Sequence, residues 1–209
     1  FGNGSHQAGI SKYSDKMPTA GEQVWDDVDA ADEGVTDLGA DNTLGYEITM
    51  QGITASASYA RVGTGTDNSV VLIANDLVDN ASFGIGTGTN TASATSEDDM
   101  TTAWATYTSG PITMGVQLSE IDKTAANSDV DREHVAISFA VNENLSISYG
   151  ISNVGYESSS KSDEESSGFS ASYTMGGMTL GAVANKTDSL LGTAGTDRTF
   201  TEVSLAFAF

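Results

Sequence analysis

The 209-residue sequence predicts an all-β protein made of antiparallel strands, and three observations support this fold class. From about residue 42 onward, successive runs alternate apolar with small polar side chains, which is the period-two pattern of strands. The chain has 23 Gly, 2 Pro and no Cys, and it is rich in Ser and Thr, which favours many short strands over helices. The runs are separated by polar, Gly-containing stretches of the kind that reverse a strand.

The alternation defines eleven strands. In the stretch NLSISYGIS, Leu145, Ile147, Tyr149 and Ile151 share one face, while Ser and Gly occupy the other. The stretches HVAISFAV, PITMGVQLS and GFSASYTM repeat this arrangement. The predicted strands are 42–50, 53–62, 69–75, 79–86, 99–109, 111–121, 132–141, 144–153, 168–175, 178–187 and 198–209.

Two kinds of connection separate these strands. The short ones are QG, NDLVD, SGP, NEN and GG, and the long ones are GTGTDN, TGTNTASATSED, DKTAANSDVD, GYESSSKSDEESS and TDSLLGTAGTD. Because the two kinds alternate along the chain, we expect all long loops to lie at one end of the sheet.

The two faces of these strands predict a barrel in a membrane. The second face, made of Ser, Thr, Gly and Ala, resembles neither the core of a soluble sandwich nor an ordinary charged surface. Backbone polar groups in hydrocarbon must be paired internally, so a sheet can cross a membrane only as a closed barrel. Such a barrel turns its apolar face to lipid and its polar face to a wet lumen, with short turns at one end and long loops at the other. The sequence therefore predicts a transmembrane antiparallel β-barrel.

Charge and composition exclude several other classes. The net charge of −21, from 29 acidic and 8 basic residues, argues against a nucleic-acid partner, whose phosphates require a basic surface. The longest apolar runs, such as VVLIA at 70–74, are far shorter than the roughly 20 residues of a membrane-spanning helix. His6 and His134 are the only histidines, so a His-based metal site is poorly supported, and no Ser/His/acid set stands out. We therefore expect no enzyme activity and no catalytic residues.

The carboxyl-terminal stretch TFTEVSLAFAF carries a family resemblance. It ends on Phe209, with Val203, Leu205 and Phe207 at the alternate positions before it. Together with the hairpin ADNTLGYEI…GITASASYA and the strands between, it resembles the carboxyl-terminal two thirds of a Gram-negative general diffusion porin of the alphaproteobacterial, Rhodobacter-like type. The four terminal apolar residues are similar to the signal by which the barrel-assembly machinery recognises outer-membrane proteins.

The resemblance implies a sixteen-stranded barrel, with eleven strands in this chain and about five upstream of it. It also implies a homotrimer in the outer membrane, in contact with lipid and lipopolysaccharide, through which cations and small hydrophilic solutes diffuse passively. No cofactor is required for that activity.

Residues 1–41 form an acidic segment that precedes the barrel strands at 42–209. On composition alone this segment is a disordered tail. By resemblance it belongs to an outer loop that folds into the barrel and narrows the pore, where carboxylates would attract cations. Its acidic residues, set against only two lysines, are Asp15, Glu22, Asp26, Asp27, Asp29, Asp32, Glu33, Asp37 and Asp41.

Strand parity identifies further pore-lining candidates. Counting back from the last strand places five charged or titratable side chains on the lumen side: Glu47, Arg132, His134, Arg198 and Glu202. The basic ones lie near the predicted strand ends, so a position on the rim or in a loop fits them equally well.

Calcium is the one metal for which the acidic stretches are candidate ligands. The stretch DDVDAADEGVTD departs from an EF-hand loop, because Ala31 stands at a required ligand position and Glu33 stands where Gly is required. Weak calcium binding by the carboxylates of this segment, or by SDEESS at 162–167, is a further expectation.

Two functions compete at this point. One is a passive porin, in which pore width and lining charge set selectivity. The other is a secreted or cell-surface acidic adhesin, β-rich and stabilised by calcium, which would explain the charge without a membrane. The sorting of turn lengths and the apolar outward face favour the porin.

Overall fold

The structure is a computed structural model that describes residues 8–26, 28, 35, 43–63, 65–93 and 96–208. Within these residues, eleven antiparallel strands form one sheet in which each strand pairs with its neighbours in sequence. The strands are β1 (Leu44–Met50), β2 (Ile53–Val62), β3 (Gly65–Val78), β4 (Ala81–Ser93), β5 (Ser96–Ser109), β6 (Ile112–Asp122), β7 (Val130–Ala140), β8 (Leu145–Tyr156), β9 (Glu164–Met175), β10 (Met178–Asp188) and β11 (Arg198–Phe207).

The only helical elements among the described residues are two 3-10 turns, Ile10–Tyr13 and Leu190–Gly192. Neither turn has the length and apolarity needed to span a membrane.

All eleven predicted strands are present, but several extend further than predicted. The strand β3 begins at Gly65 rather than at 69, β4 ends at Ser93 rather than at 86, and β5 begins at Ser96 rather than at 99. The apolar alternation stops before these polar ends, whereas backbone pairing continues because the hydrogen-bond ladder does not depend on apolar side chains. The hydrophobic pattern therefore marked the apolar band and not the full strand.

The predicted strict alternation of short and long connections is wrong for the first strands. Only two residues separate β2 from β3, and only two separate β4 from β5, where GTGTDN and TGTNTASATSED were expected to be long loops. The stretch NDLVD is also mostly strand, with a register shift between Asn75 and Val78. Long loops remain at 123–129, 157–163 and 189–197, all at the end of the sheet where β2 and β3 meet.

The two faces of the sheet follow the predicted alternation. In β7, Val135, Ile137 and Phe139 are 46%, 40% and 37% exposed, while the adjacent His134 and Ala136 are buried. The alternate residues Val203, Leu205 and Phe207 of β11 are also exposed, and Phe209 lies outside the described residues. So many exposed large apolar side chains on one continuous face are expected where lipid, not water, is the surrounding solvent. We call this the outer face and the opposite one the inner face.

Residues 8–26, which we call the inner segment, lie on the inner face. Together with Val28 and Val35 they bury two apolar clusters against it. The first cluster contains Ile10, Tyr13, Val35, Val71, Ile73, Met100, Trp104 and Ile121. The second contains Met17, Val24, Trp25, Val28, Ala136 and Leu190, with Phe200 packed against it. The sequence predicted an inner face of small polar residues throughout. That prediction is wrong where the inner segment covers the face, because large apolar side chains lie there.

A charged substitution in the middle of the outer face tests its contact with lipid. We expect Ile137→Arg to lower the free energy of unfolding by about 2–4 kcal/mol, because a guanidinium near the bilayer midplane must leave water. The measurement is urea unfolding of the protein folded into lipid vesicles.

The neighbouring residue on the inner face supplies the control. Ser138→Arg changes the same strand at the same depth but points to the inner side, so we expect a much smaller loss. Equal losses for the two variants would contradict the assignment of the outer face to lipid.

Candidate functional site

Hydroxyl side chains of the inner face bind the backbone of the inner segment. Serines on β2, β3 and β8 each accept a backbone N–H of the segment through their Oγ atoms at 2.9 Å. The pairs are Gly9 with Ser56, Ile10 with Ser69 and Ala20 with Ser148. Most of the segment has no regular secondary structure, so these side chains replace the partners that a helix or sheet would provide.

Two amide side chains complete this binding. The buried Gln117 accepts the N–H of Lys16 at 2.8 Å through Oε1, and its Nε2 donates to the carbonyl oxygen of Ser14 at 2.8 Å. On β10, Nδ2 of Asn185 donates to the carbonyl oxygen of Gln23 at 3.1 Å. The sheet therefore holds the segment at points that run from β2 to β10.

Aromatic contacts hold the two halves of the segment. Tyr13 stacks on Trp104 with ring centroids 5.6 Å apart and an angle of 12° between the planes. The indole of Trp104 lies directly on Gly84, where any Cβ atom would overlap it, so this contact requires glycine. In the second half, Trp25 packs against His134 with ring centroids 4.3 Å apart.

Three of the predicted acidic residues lie in the inner segment. Burial raises the pKa of the Asp15 carboxyl, and the charge of Asp26 adds to this, while the hydrogen bond from the Met17 N–H opposes it. Oδ2 of Asp26 accepts the N–H of Gln23 at 2.7 Å, and Glu22 lines a small cavity against β9, β10 and β11. The other predicted acidic residues lie outside the described residues, namely Asp27, Asp29, Asp32, Glu33, Asp37 and Asp41.

The acidic pore-lining candidates both meet the inner segment. Both carboxylate oxygens of Glu47 accept hydrogen bonds from Nζ of Lys12 at 2.8 Å, and Oε2 also accepts one from the Tyr13 hydroxyl at 2.9 Å. Glu202 lines the same small cavity as Glu22, between the segment and β9 to β11. Both carboxylates are thus on the inner face.

The basic candidates lie towards the long-loop end of the same face. His134 is fully buried beneath Trp25, and within the described part of the chain neither ring nitrogen has a hydrogen-bond partner. Arg132 precedes it by two positions on β7 and therefore points to the same side. Arg198 pairs across the strands with the inward Thr187, at the first position of β11.

No group of three or more His, Asp or Glu side chains that could hold a metal ion is found in the ranges that the structure describes. In the stretch SDEESS, the carboxylate of the buried Glu164 instead accepts the N–H of Leu191 and lies 3.5 Å from the Tyr156 hydroxyl. Calcium binding by the acidic stretches stays a prediction.

The side chains that bind the inner segment were not identified from the sequence. Gln117 and Asn185 are large amides on a face rich in Ser, Thr, Gly and Ala, which is a signal for a specific contact. Trp104, Val71 and Ile73 are large apolar residues at inward positions, which indicates that something covers them. Neither signal says what the covering element is, because that element is more than a hundred positions away from Gln117.

Comparison with known proteins finds likeness in structure but not in sequence. No protein-family model matches the chain, and a search of curated protein sequences finds no significant match. Among solved structures, an anion-selective porin from Comamonas acidovorans matches with a TM-score of 0.72 at 14% identity over 92% of this chain. A Rhodobacter porin refined at 1.8 Å resolution matches with a TM-score of 0.76 at 13% identity over 99% of this chain.

A third similar structure is the trimer form of OmpT, an outer membrane protein of Vibrio cholerae, with a TM-score of 0.59 at 14% identity over 90% of this chain. The matched regions make up 66%, 76% and 73% of the Comamonas, Rhodobacter and Vibrio chains. This chain therefore spans about two thirds to three quarters of their length. The likeness confirms the predicted fold, a transmembrane antiparallel barrel of the porin type.

Removal of the Gln117 amide tests how the inner segment is held. We expect Gln117→Leu to release the segment, because the Lys16 N–H and the Ser14 carbonyl lose their buried partner at a cost of about 1–3 kcal/mol. The measurement is amide hydrogen exchange of residues 8–26, which should become faster while exchange in the strands is unchanged.

Thr113→Val is the matched control, because Thr113 is a polar residue of the same strand whose hydroxyl pairs with Thr108 at 3.0 Å. This variant should leave exchange in the inner segment unchanged. If Gln117→Leu also leaves it unchanged, the amide does not hold the segment.

Proposed function

We propose that the chain forms most of the wall of an outer-membrane porin, a water-filled channel for passive diffusion of ions and small hydrophilic solutes. The observation that carries this proposal is the contrast between the two faces of one curved sheet. The outer face exposes large apolar side chains, whereas the inner face carries serines, threonines and amides, several of which bind the backbone of the inner segment. A soluble adhesin would have no reason to expose the apolar face, which argues against that alternative.

The inner segment is the constriction in this proposal. It contacts β2 and β3 through Gly9 and Ile10, and it contacts β10 through Gln23, so it extends across the concave side of the sheet. A segment in that position reduces the open cross-section, and pore width then sets the size limit for solutes. Residues 1–41 as a whole would form this constricting loop.

Cation preference follows from the charges of that loop. Asp15, Glu22 and Asp26 lie on the lumen side in this arrangement, and the other carboxylates of residues 27–41 would add to them. Arg132 and Arg198, on the same inner face against which the segment lies, would add positive charges near it. The net charge of −21 of the whole chain also favours the passage of cations over anions.

The complete barrel would have sixteen strands. Eleven of sixteen is about 69%, which agrees with the 66–76% of the porin-like chains that this chain spans. The terminal residues Val203, Leu205, Phe207 and Phe209 would be the signal for the barrel-assembly machinery. The channel would be a homotrimer in the Gram-negative outer membrane, among lipid and lipopolysaccharide, of the alphaproteobacterial type and without a cofactor.

Conductance measurements test the channel directly. We expect the purified protein to raise the conductance of planar lipid bilayers in discrete steps, and to favour K⁺ over Cl⁻ when the two sides differ in salt concentration. A protein that remains monodisperse without detergent and never raises bilayer conductance would refute the proposal.

Charge removal tests the role of the inner segment. We expect Asp15→Asn, Glu22→Gln and Asp26→Asn together to lower the K⁺/Cl⁻ permeability ratio severalfold, because three negative charges leave the constriction while the amides keep the hydrogen-bond acceptors. The measurement is the reversal potential in a salt gradient.

The control removes the same charge from the outer face. Glu120→Gln, Asp131→Asn and Glu133→Gln together neutralise three exposed outward carboxylates and should leave the permeability ratio unchanged. An equal drop in both triple variants would assign selectivity to net charge and not to the inner segment.

A further inference from the structure

A polar cavity lies at the long-loop end of the inner face, between the loops 123–129 and 157–163. We call it the mouth pocket. Its volume is about 450 Å³, and Leu191 from the third long loop closes one side. Its lining includes the basic side chains of Lys123, Arg132 and Lys161 and the polar side chains of Asn127, Tyr156 and Ser158. Pockets of this size accommodate small solutes of the order of one sugar unit.

The charge of the mouth pocket is opposite to that of the protein. Three of the chain's 8 basic residues, Lys123, Arg132 and Lys161, line it, although the chain carries 29 acidic residues. The one carboxylate in the lining is Asp129, and its Oδ1 accepts the N–H of Lys123 at 2.7 Å. That carboxylate is therefore engaged by the backbone of its own loop, and the cavity has a net positive lining.

The lysine on the second loop is held in place by its surroundings. Nζ of Lys161 lies 4.0 Å from the centroid of the Tyr156 ring, which is a cation–π contact. Gly192 packs against this pair so closely that a Cβ there would lie 2.9 Å from both Lys161 Cδ and Tyr156 Cε2. The N–H of Ser162 donates to the carbonyl oxygen of Gly192 at 3.0 Å and joins the two loops. The cavity wall is thus formed before any ligand arrives.

We propose that the mouth pocket binds a small hydroxylated anion of the sugar-phosphate class. The cationic side chains suit a phosphate group, since charge-assisted hydrogen bonds to an anion are the strongest polar contacts available there. The amide of Asn127 and the hydroxyls of Ser128 and Ser158 suit the hydroxyl groups of a sugar. In the proposed channel this site would concentrate an anionic solute at the entrance to a pore that otherwise prefers cations.

Equilibrium binding of glucose 6-phosphate to the full chain in detergent tests the site. Isothermal titration at low salt should show saturable binding that weakens as salt is added, because the cations are partly exposed. Glucose should not bind, and inorganic phosphate should bind more weakly than the sugar phosphate. Absence of saturable binding by the wild-type protein would overturn the proposal, and phosphate binding as tightly as the sugar phosphate would overturn the sugar assignment.

Single lysine variants locate the binding. Lys123→Ala and Lys161→Ala should each weaken glucose 6-phosphate about tenfold. Both lysines are exposed, so the barrel should stay folded, which heat-modifiable migration in electrophoresis can verify. Arg132 makes contacts of its own and is left unchanged.

Lys186→Ala is the matched control, because it removes one positive charge from the outer face near the same end, where Lys186 pairs with Asp188 at 2.7 Å. It should leave the affinity unchanged. Unchanged affinity in the two pocket variants, or an equal loss in Lys186→Ala, would overturn the proposed site.

The biological role proposed for the mouth pocket, which is to concentrate a solute at a channel entrance, rests on the proposed function. The binding itself does not. Binding in detergent needs no conductance, so a chain that binds but does not conduct would refute the porin alone. A chain that conducts but does not bind would refute the mouth pocket alone.

Discussion

Backbone hydrogen bonding is the constraint on which the rest of this structure depends. A strand surrounded by hydrocarbon has no water to pair with its N–H and C=O groups, so each strand needs a neighbour on both sides. The strands β2 to β10 meet this need by pairing with both neighbours in sequence, while β1 and β11 each pair with one, which makes one continuous antiparallel sheet. Once the strands are paired, side chains alternate between the two faces, so one face can be apolar while the other is polar. The apolar outer face and the polar inner face both follow from that alternation.

The same constraint explains the composition of the inner face. The inner segment lies within the sheet's concave side, mostly without regular secondary structure, and its backbone groups also need partners. Ser56, Ser69, Ser148 and Gln117 supply them from four different strands. Small hydroxyl side chains bind the backbone and occupy little volume. The aromatic contacts of Tyr13 and Trp25 hold the segment against the inner face. Polarity on the inner face therefore serves the protein's own backbone as well as water.

Charge is distributed unevenly along the interior. The inner segment carries acidic residues along the sheet from β2 to β10, whereas three basic residues line the mouth pocket at the long-loop end. Interactions between exposed charges extend only about 8 to 10 Å at physiological salt, so two regions of opposite sign can act separately on a passing solute. In the proposed channel, the mouth pocket would thus attract an anion even though the chain has a net charge of −21.

The sequence by itself determined the strand number, the two faces and the order in which the strands reverse, because these depend on side-chain alternation over a few neighbouring residues. It misjudged the polar strand ends of β3, β4 and β5, where backbone pairing continues without an apolar signal. It also assigned the inward charged side chains from parity alone, without their partners. Only the tertiary structure decided that Gln117 binds Lys16, which is 101 positions away, or that loops from three hairpins form the mouth pocket. Such contacts join distant parts of the chain, and no local pattern encodes them.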